Sequence, residues 1–344
     1  MRGKRSIIGS ACLTYPLGKE KGQPLIWLLV RNNMDGIKIT SKIPTLKYWL
    51  IAIRPKTLTI AAVPVLIGNT LAWVEISGIS GPVMLITLMA ALLIQIGTNL
   101  YNDAADADLG ADDSSKRLGP PRVSSQGWLS SSKVRRAAIL SFVLAALLLG
   151  YLVSVGGWPI MVAGLSSIWA GWAYTGGSKP IAYLGGGELF VFVFFGIVTV
   201  AASYYLQTSQ LTSTSILLGA MIGLPAAAIL VVNNYRDIDG DRQAGKNTLA
   251  VRLGRRASKI EYSLLLLIPY ILLFFLEKLG LYGKWLLIPA LSIPWALYLI
   301  RQFCHEGTGA GLNRLLVATT HFHAGFGALL CIAILGATRF AFSP

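Results

Sequence analysis

The chain has 344 residues, of which 54% are hydrophobic and only 13% are charged, and its formal net charge is +15. This composition excludes a disordered protein and is not that of an ordinary soluble domain. An excess of Lys and Arg often indicates nucleic-acid binding, but here apolar runs of membrane-spanning length separate the basic residues. We therefore predict a protein that is embedded in the lipid bilayer and binds no nucleic acid.

Nine apolar runs are each long enough to cross the hydrocarbon core of a bilayer as a helix. The sequence thus predicts an all-α fold, a polytopic membrane bundle of about nine transmembrane helices. The basic, acid-poor residues 1–47 are predicted to form an N-terminal arm, and residues 48–344 the transmembrane domain. The predicted spans lie near residues 57–76, 83–101, 137–155, 158–175, 188–206, 214–232, 260–277, 284–301 and 318–337.

The basic residues indicate how the chain is oriented, because cytoplasmic loops keep Lys and Arg. Only Lys278, Lys284 and Arg339 fall on one side of the predicted bundle, and all the other basic residues fall on the opposite side. The N-terminus and the basic loops are therefore predicted to be cytoplasmic, with the C-terminus outside. A bacterial plasma membrane is the favoured location, and an organelle membrane is the alternative.

Eight of the fifteen acidic residues fall in two short stretches, NLYNDAADADLGADD after the second span and NNYRDIDGDRQAGKNT after the sixth. Charge at the edge of a membrane is costly and is usually functional. If the second span continues for another turn, Asn99, Asn102, Asp103 and Asp106 share one face of the helix.

The second stretch places Asp237 and Asp241 four residues apart, again on one helical face. Like charges at that spacing repel each other against hydrocarbon unless a cation bridges them. Mg²⁺ takes oxygen ligands and is commonly held by one or two carboxylates together with substrate phosphates. Two such stretches on the same side of the membrane favour a magnesium and diphosphate site over two solvated, acid-rich loops.

Basic residues surround both acidic stretches, and we predict that they bind the diphosphate. Guanidinium forks and ammonium groups are the side chains that neutralise phosphate charge. The predicted diphosphate-binding residues are Arg117 and Arg122 after the first stretch, Lys179 between the fourth and fifth spans, and Arg236, Arg242 and Lys246 around the second stretch.

The segments NDAADADLGAD and NNYRDIDGDRQAGKNTLAVRLG resemble the two Asp-rich signatures of the UbiA superfamily of intramembrane aromatic prenyltransferases. The likeness runs from about Arg54 to the C-terminus. RPKTL, RLGPPR and YTGGSKPIAYLGGGE are most similar to the branch that acts on 1,4-dihydroxy-2-naphthoate. The resemblance implies helices around a central cavity. It also implies transfer of a polyprenyl or phytyl group from its diphosphate to the naphthoate with loss of carbon dioxide, giving demethylmenaquinone or demethylphylloquinone.

The resemblance also implies a Mg²⁺ cofactor and a role for each matching residue. Gly110 stands where many relatives have a further Asp, and the nearby Asp112 is expected to take that ligand position. Tyr174 offers a π face to an allylic cation, or alternatively belongs to the aromatic belt at the membrane interface. The implied metal ligands are Asn102, Asp103, Asp106, Asp112, Asp237 and Asp241. Together with Lys179 and Tyr174, which are predicted from their positions in the sequence, Asp106, Asp237 and Asp241 are the predicted catalytic residues.

Other functions fit parts of this pattern. Prenyl transfer to homogentisate or 4-hydroxybenzoate uses the same metal and diphosphate chemistry. A CDP-alcohol phosphotransferase also combines membrane helices with metal-binding Asp residues, but its compact motif on neighbouring helices is missing from the sequence. A cation transporter would place acids near mid-span, whereas both acidic stretches here lie at one membrane face.

Overall fold

The computed structural model describes residues 45–108, 118–278 and 283–341. Within these ranges the secondary structure is helical without strands, which confirms the predicted all-α class. A π-helical segment, Val193–Val198, lies within the fifth helix, and a 3₁₀ segment, Gly283–Ser292, precedes the eighth. The helices are α1 (Thr45–Ile53), α2 (Thr59–Ile76), α3 (Gly81–Asp108), α4 (Ser131–Ala173), α5 (Gly187–Thr208), α6 (Ser213–Gln243), α7 (Leu249–Lys278), α8 (Ile293–His305) and α9 (Gly309–Ala341).

The outer surface of the bundle is apolar. Eight helices in the described part of the chain are long and apolar enough to cross a membrane. Large side chains such as Leu147, Trp158 and Leu189 are more than half exposed on these helices. Contiguous exposed apolar surface of this kind indicates contact with lipid. The chain is therefore an integral membrane protein.

The longest helix, α4, contains two antiparallel halves. Its backbone breaks at Gly157, where φ is +68°, a left-handed conformation that glycine adopts without steric cost. Beyond the break, Gly164 lies so close to Leu149 that a Cβ atom would overlap the leucine side chain. Because α4 folds back on itself, it accounts for two predicted spans, and the eight apolar helices correspond to the nine predicted runs.

The main hydrophobic core lies between α2 and α5 to α9. It contains large, fully buried side chains, among them Tyr262, Phe303 and Phe322. Since lipid is as apolar as these side chains, close van der Waals packing has to hold the helices together. Aromatic contacts such as Tyr262 with Phe303, at a centroid distance of 4.4 Å, belong to this packing.

A cavity of about 1080 Å³ lies inside the bundle, lined by α1 to α6 and α9. Helix α3 lines it from Thr87 to Asn102, a length of about 22 Å along the helix axis. The end near Asn102 is polar and includes Arg122. The other end is apolar and is lined by Leu152, Ile160 and Leu206. The cavity thus has a charged end at the face that carries both acidic stretches and an apolar end within the bilayer.

A separate polar network holds the helices together at the opposite face. The amide of Gln207 in α5 donates to Asn69 Oδ1 in α2 at 2.8 Å and to the backbone oxygen of Ser80 at 3.2 Å. It also accepts a hydrogen bond of 2.9 Å from the Ser80 backbone N–H. This network fixes the α2–α3 connection at the far side of the bundle.

Candidate active site

The first acidic stretch continues α3 as the sequence predicts. The helix extends to Asp108, so Asn99, Asn102, Asp103 and Asp106 lie along one helical face. Both aspartates are buried. Uncompensated charge at such positions costs several kcal/mol, so each carboxylate requires polar partners.

Asp106 is the centre of an ion-pair cluster. Its Oδ2 accepts a hydrogen bond of 2.7 Å from Arg122, and its Oδ1 accepts one of 2.9 Å from Lys246. The Tyr183 hydroxyl lies 3.5 Å from the same Oδ1, and the Lys246 ammonium sits over the Tyr183 ring, 5.0 Å from its centroid. Lys246 belongs to the second acidic stretch, so this cluster joins the two stretches directly.

Asp103 has a different environment, although it is only three residues away. Its two carboxylate oxygens accept backbone N–H bonds from Val123 at 3.2 Å and Ser124 at 2.9 Å. The carboxylate therefore holds the turn after Arg122 against α3. This contact positions the Arg122 side chain next to Asp106.

In the second stretch, α6 extends to Gln243 and carries Asp237 beside Arg236. The Arg236 guanidinium binds the Asp237 carboxylate through two hydrogen bonds of 2.8 and 2.6 Å. This bidentate geometry is the strongest form of the Arg–carboxylate pair. The Arg236 side chain is only 1% exposed, so the guanidinium lies inside the protein, whereas the Asp237 side chain is partly accessible to solvent.

Two asparagines fix the same guanidinium from other sides. Arg236 donates to Asn233 Oδ1 at 2.9 Å and to Asn313 Oδ1 in α9 at 2.8 Å. Asn313 in turn donates to the backbone oxygen of Leu118 at 2.8 Å. A Cβ atom on Gly119 would lie 2.6 Å from the guanidinium, so the loop packs directly on it. Helix α9 and the loop after the first stretch thus meet at Arg236.

Tyr174, just after α4, also lines the cavity. Its hydroxyl lies against Gly187, where a Cβ atom would come within 3.3 Å of it. Burial, together with the carboxylates of Glu188, Asp106 and Asp241, raises the pKa of Tyr174 above its usual value. The phenol is therefore neutral at physiological pH and can offer its ring or its O–H group, but not a phenolate base.

A small polar cluster interrupts the apolar wall of the cavity further along α3. Asn99 Nδ2 donates to the backbone oxygen of Ile53 at 2.9 Å and to Thr57 Oγ1 at 3.0 Å. Gln95 Nε2 also approaches Thr57 Oγ1, at 3.4 Å. A backbone oxygen can only accept, which fixes the orientation of the Asn99 amide. The side-chain oxygens of Asn99 and Gln95 are then left as acceptors in residues that line the cavity.

The other predicted site residues lie at the face of the acidic stretches or outside the described residues. Lys179 and Arg242 are exposed at the same face and do not belong to the ion pairs described above. Asp241 lies near the end of α6, and its backbone oxygen accepts from the Lys246 N–H at 2.8 Å. Asp112 and Arg117 lie outside the described residues.

Sequence reasoning missed Asn313, Asn233 and Gln95 as parts of the site. Asn313 and Gln95 are single amides near or within an apolar run, whereas Asn233 opens the second acidic stretch but is itself uncharged. A polar residue in or at the edge of a transmembrane helix is in itself a signal of function. That signal identifies such residues without indicating which partners they contact.

A membrane bundle with two carboxylate-bearing helix ends over one long apolar cavity defines a class of enzyme that handles an apolar chain with a charged head group. The chain belongs to the UbiA prenyltransferase family, whose model matches residues 61–337. It is 37% identical over 265 residues to the 1,4-dihydroxy-2-naphthoate octaprenyltransferase of Escherichia coli, covering 74% of this chain and 85% of that protein.

A second relative is named for transfer of a phytyl group instead of an octaprenyl group. The chain is 30% identical over 293 residues to the 2-carboxy-1,4-naphthoquinone phytyltransferase of Synechocystis, covering 82% of this chain and 91% of the relative. Among solved structures, a UbiA homologue from Archaeoglobus fulgidus bound to GPP and Mg²⁺ superposes with a TM-score of 0.62 at 15% identity. That match covers 84% of this chain and 99% of the homologue, and it establishes the shared fold.

Proposed function

We propose that this protein transfers a prenyl group from its diphosphate to 1,4-dihydroxy-2-naphthoate, with loss of carbon dioxide. The immediate product is the hydroquinone form of demethylmenaquinone or demethylphylloquinone, depending on the donor. The observation that carries the proposal is the ion-pair cluster at the charged end of the long apolar cavity. The names of the relatives at 37% and 30% identity support the naphthoate as acceptor.

The two ends of the cavity match the two parts of a prenyl diphosphate. The apolar end, about 22 Å along α3 from the polar end, suits a hydrocarbon tail. The polar end brings together the guanidinium groups of Arg122 and Arg236. Arg side chains bind phosphate oxygens in a bidentate manner, so the diphosphate belongs at this end.

The residues at this end also fit a magnesium ion. Asn102 lines the cavity, and its buried Oδ1 accepts no hydrogen bond from the described residues. With Asp106, Asp237 and Asp241 it provides oxygen donors only, which Mg²⁺ prefers. Within the described ranges, no three acidic, His or Cys side chains come close enough to hold a metal by themselves. Shared coordination by single carboxylates and substrate phosphates is the arrangement typical of Mg²⁺.

Catalysis here means helping the allylic carbon–oxygen bond to break. Bound Mg²⁺ supplies positive charge that offsets the charge developing on the departing diphosphate. Arg122, Lys246 and Arg236 neutralise the phosphate oxygens further, and the Tyr174 ring stabilises the allylic cation. The mostly apolar lining of the cavity disfavours water, which would otherwise capture that cation. The electron-rich ring of the naphthoate then forms the new carbon–carbon bond and loses its carboxylate as carbon dioxide.

The acceptor has hydroxyl groups, and the polar cluster on α3 offers acceptor oxygens to them. Asn99 and Gln95 lie on the same face of α3 as Asn102, about one and two turns, respectively, further from the charged end. We assign the ring hydroxyls of the naphthoate to these amide oxygens. The membrane is proposed to be a bacterial plasma membrane, with both acidic stretches on the cytoplasmic side.

The purified protein in liposomes, with radiolabelled geranylgeranyl diphosphate, 1,4-dihydroxy-2-naphthoate and Mg²⁺, tests this proposal. We expect a labelled naphthoquinone-type lipid that requires both substrates and disappears when EDTA removes the metal. Formation of no labelled lipid, or full activity in EDTA, contradicts the proposed reaction.

A further inference from the structure

At the charged end of the cavity, the Arg122 side chain lies between the Asp106 carboxylate and the cavity. Arg122 lines the cavity, whereas the Asp106 carboxylate that it binds does not. The Arg122 and Asp106 side chains are 8% and 2% exposed. A metal ion that joins Asp106 to a diphosphate in the cavity must therefore take the position of a cation.

Asp106 is held by two cations rather than one. Arg122 binds Oδ2 at 2.7 Å and Lys246 binds Oδ1 at 2.9 Å, so each oxygen already has a charged donor. The Lys246 side chain is 11% exposed, and water screens this cluster poorly. A divalent ion added here without further negative charge would face two positive side chains around one carboxylate. Repulsion between these like charges opposes binding of the metal alone.

A diphosphate reverses this balance. Its phosphate oxygens provide negative charge for the metal, and they also provide new acceptors for any guanidinium or ammonium group that leaves Asp106. The two cations come from different loops, Arg122 from the turn held by Asp103 and Lys246 from the turn after α6. Arg122 already lines the cavity, and Lys246 binds the other oxygen of the same carboxylate.

We propose that Lys246 and Arg122 are exchangeable counter-cations of Asp106 that couple metal binding to diphosphate binding. In the absence of diphosphate they occupy the carboxylate, and metal affinity is low. When metal and diphosphate bind together, the two side chains move from Asp106 to the phosphate oxygens. This inference rests on the proposed function, because it assigns metal and prenyl diphosphate to the same site.

The coupling must be reciprocal, because each ligand changes the affinity of the other by the same factor. Such coupling is typically about 5- to 150-fold in affinity. If Lys246 is an exchangeable counter-cation, its removal has two effects of opposite sign. It raises the affinity for metal alone, and it lowers the factor by which diphosphate increases metal affinity. A cation that only binds diphosphate would produce the second effect without the first.

The test measures Mn²⁺ binding to the full chain in detergent by electron paramagnetic resonance, with Mn²⁺ in place of Mg²⁺. Titrations are made with and without geranylgeranyl diphosphate and without acceptor, and a protein-free titration corrects for Mn²⁺ bound by the free diphosphate. The variants are Lys246→Gln and, as a second removal of a counter-cation, Arg122→Gln. Lys246→Arg keeps the charge, and Arg256→Gln is a matched control because Arg256 is exposed at the same face.

For the unaltered chain we expect geranylgeranyl diphosphate to raise Mn²⁺ affinity at least about fivefold. Lys246→Gln and Arg122→Gln should each bind Mn²⁺ more tightly than the unaltered chain when diphosphate is absent, and both should show weaker coupling. Arg256→Gln should behave like the unaltered chain, and Lys246→Arg, which keeps the positive charge beside Asp106, should not raise the affinity for Mn²⁺ alone. If neither removal raises the affinity for Mn²⁺ alone while the unaltered chain binds both ligands, the exchange is wrong and the proposed function stands. If the unaltered chain binds neither ligand, both proposals fail.

Discussion

Arg236 in α6 donates a hydrogen bond of 2.8 Å to Asn313 Oδ1 in α9, and this contact links the second acidic stretch to the last helix of the bundle. The same asparagine holds the Leu118 backbone oxygen of the loop that carries Arg122. One uncharged side chain thus contacts both Arg236 and the loop that carries Arg122, and both arginines line the cavity. Its importance follows from its contacts, since nothing in its neighbouring sequence is charged except Arg314.

We predict that Asn313→Ala raises the KM for the prenyl diphosphate about tenfold, the effect of losing a hydrogen bond to a charged group worth about 1.5 kcal/mol. The value of kcat should change less, because Arg236 keeps its bidentate bond to Asp237. Steady-state kinetics with the donor varied measures both. Asn69→Ala is the matched control, because Asn69 makes its own hydrogen bonds at the opposite face. An equal rise of KM in both variants would indicate general loosening of the bundle instead.

Asp106→Asn and Asp237→Asn should each lower the rate of prenyl transfer by more than about 100-fold. Loss of a residue that only hydrogen-bonds to a metal ligand already lowers metal affinity or activity by up to about 100-fold. Each change removes one charged oxygen and nearly preserves the volume of the side chain. The exposed Asp239 pairs with Arg255 at 2.8 Å away from the cavity, so Asp239→Asn should retain activity. Product formation per folded protein is the measurement. An active Asp106→Asn or Asp237→Asn variant is incompatible with the magnesium site.

The helices could be predicted from the sequence because an apolar run of about 20 residues is the length that a helix needs to cross a membrane. The extension of α3 to Asp108 was equally accessible, since the polar residues recur with the helical period. What the sequence could not provide is the division of roles between Asp103 and Asp106. Both lie on one helical face, but one binds backbone N–H groups of a loop and the other binds two cations.

The same limit applies to the fold-back of α4 and to the missed amides. The two apolar runs on either side of Gly157 predict two spans, but they do not predict that Gly164 packs directly against Leu149. Gln95 lies within an apolar run, and its approach to Thr57 depends on how α3 packs against the start of α2. Contacts between distant segments are set by packing, and a single sequence carries no direct signal of them.

Gln95→Leu should raise the KM for the naphthoate and leave the affinity for geranylgeranyl diphosphate unchanged. The substitution removes an acceptor oxygen from the cavity wall, and a substrate hydroxyl left unpaired there costs about 1 to 3 kcal/mol, or roughly 5- to 150-fold. Thr87→Val, near the far end of the cavity, is the control for an altered polar group in the same wall. Kinetics with each substrate varied in turn distinguishes the two sites. If Gln95→Leu instead weakens only the binding of geranylgeranyl diphosphate, Gln95 does not bind the naphthoate.

Single cysteines test the proposed orientation in the membrane, once Cys12, Cys304 and Cys331 have been replaced. Ser132→Cys and Ser178→Cys lie at the face of the acidic stretches and are exposed, so an impermeant thiol reagent added outside intact cells should not label them. Gln210→Cys lies at the opposite face, is also exposed, and should be labelled. The reverse pattern would place the acidic stretches outside the cell.

The acceptor proposed for this protein is 1,4-dihydroxy-2-naphthoate. The direct measurement is a competition in membranes that contain the protein, Mg²⁺ and geranylgeranyl diphosphate. These receive equal amounts of carboxyl-labelled 1,4-dihydroxy-2-naphthoate and 4-hydroxybenzoate. A site that pairs the groups of a bicyclic dihydroxy acid leaves polar groups unpaired with a smaller phenol, so only the naphthoate should react. We predict one labelled carbon dioxide for each prenyl group attached. The naphthoate is not the acceptor if 4-hydroxybenzoate is prenylated with its carboxylate retained and the naphthoate releases no labelled carbon dioxide.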